Sequence, residues 1–82
     1  MTEPVTVFGT AATHALLIDI DAGRVLDSDE FVPTLHCDDG TLADVGLAVW
    51  ALERADLAAQ PDGTRVWELT GEGRKLLEEE AR

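Results

Sequence analysis

The stretch "DGTRVWELTGEGRKLL", residues 62–77, decides the fold. It begins inside a turn, because Pro61 presets φ at the first corner and Gly63 is free to take a positive φ. Two short strands are predicted around this turn, over residues 57–60 and 64–69. In the second strand apolar and polar side chains alternate, as in a strand with one buried face. The sequence therefore predicts a β-hairpin here.

Helices are predicted on both sides of this hairpin. Thr70 is a suitable N-cap for a last helix over residues 71–81. Upstream, Thr41 and Asp44 have the spacing of a capping box, in which each side chain bonds a free backbone N–H of the other. Behind the box an apolar stripe at helical spacing comprises Leu42, Val45, Val49 and Leu52. We expect this helix to end near Ala55 or Asp56.

The N-terminal half carries weaker signals. Residues 1–9 are expected to be extended. Residues 10–22 fit a helix that ends before Gly23, but they also fit a strand that turns into "RVLD". Residues 15–26 are therefore either helix or hairpin, and we favour the helix. The stretch "DSDEF" has acids where a first helical turn favours them. It predicts a short second helix with Phe31, Val32 and Leu35 facing inward.

The charge is the most informative bulk property. The chain of 82 residues has 17 acidic and 6 basic side chains and a formal charge of −11, with 45% hydrophobic residues. This composition predicts a single folded domain over residues 1–82 rather than a disordered chain. No apolar run approaches the ~20 residues of a membrane span. Cys37 is the only cysteine, and no signal peptide is evident, so we expect a cytoplasmic protein.

The order of predicted elements resembles the winged helix-turn-helix superfamily, in the style of small bacterial regulators of the MarR, PadR and ArsR type. The resemblance is carried by "VWALERADLAAQPDGTRVWELTGEGRKLLEE", residues 49–79, with Asp56 where the family often has glycine. It implies an α+β, mainly helical fold with three core helices, a small β-hairpin wing and a C-terminal helix. It also implies a role in transcription regulation.

The helix that would read DNA in this superfamily departs from the family pattern. It has no basic residue before Arg54, and we expect Asp38 and Asp39 at its N-terminus, where they would face phosphates. Arg65 alone is placed for a wing contact. We therefore expect a protein partner, or a second copy, rather than DNA. The alternative is a DNA-binding dimer that brings together Arg54, Arg65, Arg74 and Lys75.

The predicted site follows from this departure. The expected partner-binding residues are Leu47, Trp50, Ala51, Arg54 and Arg65. The acids expected to steer the encounter are Asp38, Asp39 and Asp44. Whether Trp50 and Trp67 lie in the core or on the surface stays open, because tryptophan serves both purposes.

No catalytic residue, metal ligand or cofactor is predicted, and we expect no enzyme. "HCDD", residues 36–39, places four candidate ligands on one turn, whereas metal ligands converge from separated positions. The acids of "DIDAGRVLDSDE" lack the spacing of a calcium loop. His14 has no nucleophile at a recognisable spacing, and no small-molecule site is evident.

Overall fold

The computed structural model describes residues 11–80, and within this range three helices and five short strands follow one another. In chain order they are α1 (Ala11–Asp21), β1 (Val25–Asp27), β2 (Pro33–His36), β3 (Leu42–Asp44), α2 (Gly46–Arg54), β4 (Ala58–Ala59), β5 (Glu68–Leu69) and α3 (Gly71–Glu80). The α+β class is thus confirmed, and the winged helix is not. The predicted extended segment over residues 1–9 lies outside the described residues.

Residues 10–22 contain a helix, which settles the open choice between helix and hairpin at this point. α1 ends at Asp21, and Gly23 follows it with a φ of 80°, which is easy only for glycine. The N–H of Gly23 bonds the carbonyl of Ile20, and the N–H of Arg24 bonds that of Asp19, each at 3.0 Å. These two bonds form a Schellman motif, which satisfies carbonyl groups that a helix end leaves free.

The predicted second helix is wrong, because a β-hairpin occupies its place. β1 pairs antiparallel with β2, with Val25 opposite Leu35. The connecting residues 28–32, the β1–β2 loop, are stabilised by Ser28, whose Oγ accepts bonds from the N–H groups of Glu30 and Val32. Such local side-chain bonds compete with helix formation. Pro33 then begins β2, and a proline cannot donate the hydrogen bond that a helix interior needs.

The predicted capping box is also wrong. Leu42–Asp44 forms β3, which pairs antiparallel with β2, and α2 begins only at Gly46. The Thr41 hydroxyl donates to Asp39 instead of capping a helix. The Asp44 carboxylate accepts the N–H of Gly46, the first residue of α2, at 2.9 Å, so Asp44 lies before the helix and not within its first turn. Pairing with β2 overrides the local preference for a helix, and it leaves Leu42 exposed instead of on the inward stripe.

The C-terminal half follows the prediction closely. α2 ends at Arg54 with Ala55 as its C-cap, and β4 pairs antiparallel with β5. Between these strands Gly63, with a φ of 83°, lies in the expected turn. The Oγ1 of Thr70 accepts the N–H of Gly73 at 3.1 Å, which confirms the predicted N-cap of α3.

Two antiparallel sheets, of order β1-β2-β3 and β4-β5, are joined beside β1. Leu26 forms a bridge with Val66, and the Trp67 indole N–H donates to a carboxylate oxygen of Asp27 at 2.8 Å. The core between the sheets and helices consists of Leu17, Ile20, Val25, Val49, Leu52, Ala58, Trp67 and Leu69. Only one side of α2 packs against this core, through Val49 and Leu52, so the side chains on its other side are exposed to solvent.

Candidate functional site

The outward side of α2 carries a cluster of exposed side chains. Val49 and Leu52 are buried in the core, so the opposite side of the helix faces solvent. The side chains there recur at i, i+3, i+4 and i+7, which places them on one face. They are Leu47, Trp50, Ala51 and Arg54, here called the α2 face. Leu47 is 84% exposed and Trp50 is 39% exposed. The structure thus brings together four of the five predicted contact residues.

The two tryptophans have different environments, which answers the question left open by the sequence. Trp67 is only 3% exposed, and its indole N–H is bonded to Asp27. Trp50 belongs to the surface, where its ring edge lies over Gly46. A Cβ built on Gly46 would lie 3.3 Å from Cζ3 of Trp50 and 3.2 Å from Cγ1 of Val32. Glycine at this position therefore allows the Trp50 ring to lie close to the helix and beside the β1–β2 loop.

The acids predicted to lead the helix lie in two places. Asp44 is exposed one residue before the N-cap Val45, next to the α2 face. Asp38 and Asp39 lie in the turn between β2 and β3, so all of β3 separates them from the helix start. Their predicted position at the helix N-terminus is therefore wrong. The cause is the strand that replaces the first predicted turn of this helix.

Asp39 has a defined electrostatic environment within that turn. One of its carboxylate oxygens accepts the Thr41 hydroxyl at 2.6 Å and the Thr41 backbone N–H at 3.0 Å. The hydroxyl bond first, and the backbone bond second, hold the pKa of Asp39 below its usual value. Asp39 is therefore a negative charge at neutral pH.

Arg65, the fifth predicted contact residue, pairs with the β1–β2 loop and not with the α2 face. Its guanidinium group is 3.0 Å from a carboxylate oxygen of Asp29 in the β1–β2 loop. Both side chains are exposed, so solvent screens the pair, and it contributes little stability. The ion pair nevertheless partly neutralises the positive charge that a wing contact would use.

Sequence reasoning missed a large apolar side chain near the α2 face. Phe31 was expected inside the core, yet it is 70% exposed and has a φ of 63°. Its neighbour Val32 lies beside Gly46, next to Trp50. The signals that could have located it are Ser28 and Pro33, which favour turns and strand starts over a continuous helix.

The described residues contain no cluster of three or more histidine, cysteine or acidic side chains able to hold a metal ion. Cys37 is a free, partly buried thiol in the β2–β3 turn. A groove of about 260 Å³ lies between the end of α1, β5 and α3, with Asp21, Glu68 and Arg74 among its lining residues. None of the residues that line this groove belongs to the α2 face.

Among residues 11–80, no helix is long and apolar enough to cross a membrane. Comparison of the chain with models of known protein families, with curated proteins and with solved structures gave no match.

Proposed function

We propose that this chain is a small acidic regulatory module that binds a basic protein partner through the α2 face. The observation that carries the proposal is the exposure of Leu47 and Trp50 on one side of a helix whose other side is buried. Clustered exposed apolar side chains mark interaction sites, and tryptophan is enriched among the residues that dominate binding energy. In this proposal the segment from α2 to α3 is a winged-helix-like frame that displays the helix.

The charge of the chain favours a basic partner. With 17 acidic and 6 basic side chains, the chain repels polyanions and attracts cationic surfaces. Two of the basic side chains, Arg24 and Arg65, are paired with Asp19 and Asp29. Two copies of a chain with a formal charge of −11 also repel each other. We therefore prefer a basic partner over a second copy, and over DNA bound through Arg54, Arg65, Arg74 and Lys75.

A synthetic helical peptide of leucine and lysine tests the proposal, because it combines apolar anchors with positive charge. Its binding is followed by the two tryptophan indole N–H signals in ¹⁵N–¹H NMR spectra. We expect the Trp50 signal to shift and the Trp67 signal to stay in place, since only Trp50 is exposed. A leucine–glutamate peptide of the same length and a lysine-only peptide serve as controls for charge and for apolar contact.

The variant Leu47→Ala tests the location. Leu47 is almost fully exposed, so its truncation should leave stability unchanged and weaken peptide binding about tenfold, a typical loss for an anchor side chain. Ile18→Ala, which truncates an exposed apolar residue on α1, is the matched control and should bind like the parent chain. Equal binding by Leu47→Ala and the parent chain would overturn the proposal. Micromolar, salt-sensitive binding to random duplex DNA would favour the alternative.

A further inference from the structure

The β1–β2 loop displays an aromatic ring in an unfavourable backbone conformation. Phe31 has a φ of 63°, in the left-handed region where a bulky side chain is an outlier, and its ring is 70% exposed. Neither core packing nor local preference explains a phenylalanine here, because asparagine or glycine would fit the backbone better. Strained, exposed positions of this kind are concentrated at binding sites.

The loop that carries Phe31 is well ordered by its own hydrogen bonds. The N–H of Phe31 donates to the carbonyl of Ser28, and the N–H of Ser28 donates to that of Val32, each at 2.9 Å. The Ser28 hydroxyl accepts two further backbone N–H groups, and Asp29 is paired with Arg65. The backbone that carries the ring is therefore fixed before any partner arrives, which reduces the entropy lost on binding.

The loop ends beside the α2 face. Val32 and the ring edge of Trp50 both lie within 3.3 Å of the same point above Gly46, so these two side chains are neighbours. The N–H of Val45, at the start of α2, bonds the carbonyl of Pro33 at 3.0 Å, which fixes the end of the loop to the start of the helix. The residue that follows Phe31 thus lies beside Trp50 of the α2 face.

We infer that Phe31 and the α2 face form one docking surface for a basic amphipathic helix of another protein; the inference rests on the proposed function. The exposed acids Asp29 and Glu30 directly precede Phe31, with Asp29 paired to Arg65, and Asp44 lies just before α2. Lysine and arginine side chains of the partner therefore find negative charge on both parts. The backbone of α2 is bonded within its helix and offers no strand pairing. A partner must therefore contact side chains, as an amphipathic helix does.

The substitution Phe31→Asn separates binding from stability. Asparagine tolerates the left-handed conformation, so we expect the melting temperature to rise by a few degrees. The same change removes the ring, and we expect the affinity for the leucine–lysine peptide to fall about tenfold. The matched control is Leu42→Asn, which removes another exposed apolar side chain at the far end of β3 and should keep the parent affinity.

The outcomes distinguish this inference from the proposed function. If Leu47→Ala weakens peptide binding and Phe31→Asn does not, the docking surface excludes Phe31 and this inference is wrong, whereas the proposed function stands. If the peptide leaves the Trp50 signal of the parent chain unchanged, both fail. A measurement on the unaltered chain guards against misfolded variants: the peptide should shift the Phe31 ring signals together with that of Trp50. Ring signals that stay unchanged while Trp50 shifts would overturn the inference.

Discussion

Replacement of Gly73 with alanine should destabilise the fold, and the same replacement at Gly71 should not. Both glycines lie in the first turn of α3, two positions apart. A Cβ on Gly73 would overlap the backbone oxygen of Leu57 and lie 3.0 Å from its carbonyl carbon and 3.3 Å from Cβ of Leu69. Nothing lies within 4 Å of a Cβ on Gly71. Of these two glycines, only Gly73 therefore lies against Leu57, in the segment that follows α2.

The loss of stability in Gly73→Ala can be estimated from the displacement of the Leu57 carbonyl group. The Leu57 oxygen accepts the N–H of Thr70 at 3.0 Å, so its retreat from an alanine at Gly73 disturbs that bond. Overpacking of this kind costs about 1–3 kcal/mol, and a lost hydrogen bond costs about 1 kcal/mol. The better helix propensity of alanine offsets about 1 kcal/mol. We expect a net loss near 2 kcal/mol, which lowers the melting temperature by roughly 8–16 °C in a chain of this size.

Thermal and urea unfolding followed by far-ultraviolet circular dichroism measures both variants. Gly71→Ala should be as stable as the parent chain or more stable by about 0.5 kcal/mol, because alanine restricts the unfolded chain. Equal stability of the two alanine variants would refute the close approach of α3 to Leu57. Loss of stability in both would show that the effect does not come from overlap with Leu57.

Two further changes test local features. Asp56 has a φ of 65° just after α2, so Asp56→Gly should raise the free energy of unfolding by about 0.5–1 kcal/mol, measured by urea denaturation, and by more than Asp56→Asn, which removes only the charge. Because the pKa of Asp39 is lowered in the folded chain, its carboxylate favours folding at neutral pH, and this contribution disappears as the pH falls through the lowered pKa. A carboxyl NMR titration of Thr41→Val should show the Asp39 pKa raised toward its usual value, and an unchanged pKa would refute the role of the hydroxyl.

The C-terminal half was predictable because its signals are local. Thr70 caps the helix that follows it, Gly63 lies in the hairpin turn, and Asp56 takes the left-handed conformation just after α2. Each of these features depends on residues within about one turn of each other. The exposed face of α2 was predictable for a similar reason, because helical spacing alone places Leu47 and Trp50 on one side.

The N-terminal half depends on strand pairing across turns, such as Val25 with Leu35 and Thr34 with Asp44, and not on preferences within one helical turn. Thr41 and Asp44 have the spacing of a capping box, but residues 42–44 form a strand that pairs with β2 instead of a helical turn. The acids before Phe31 indicated a helix start, yet that residue is left-handed and exposed. Local preferences do not reveal strand pairing, so the site was predicted without the loop that borders it.

The bond between Trp67 and Asp27 also has a consequence for synthesis of the chain. The two residues are 40 positions apart, and the backbone N–H of Trp67 additionally donates to the carbonyl of Val25. At translation rates of about 5–20 residues per second, β1 therefore waits roughly 2–8 s for the segment that completes it. Until then the apolar side of the β1–β2 hairpin lacks the Trp67 ring. The β1–β2 hairpin thus stays incomplete until Trp67 has been made.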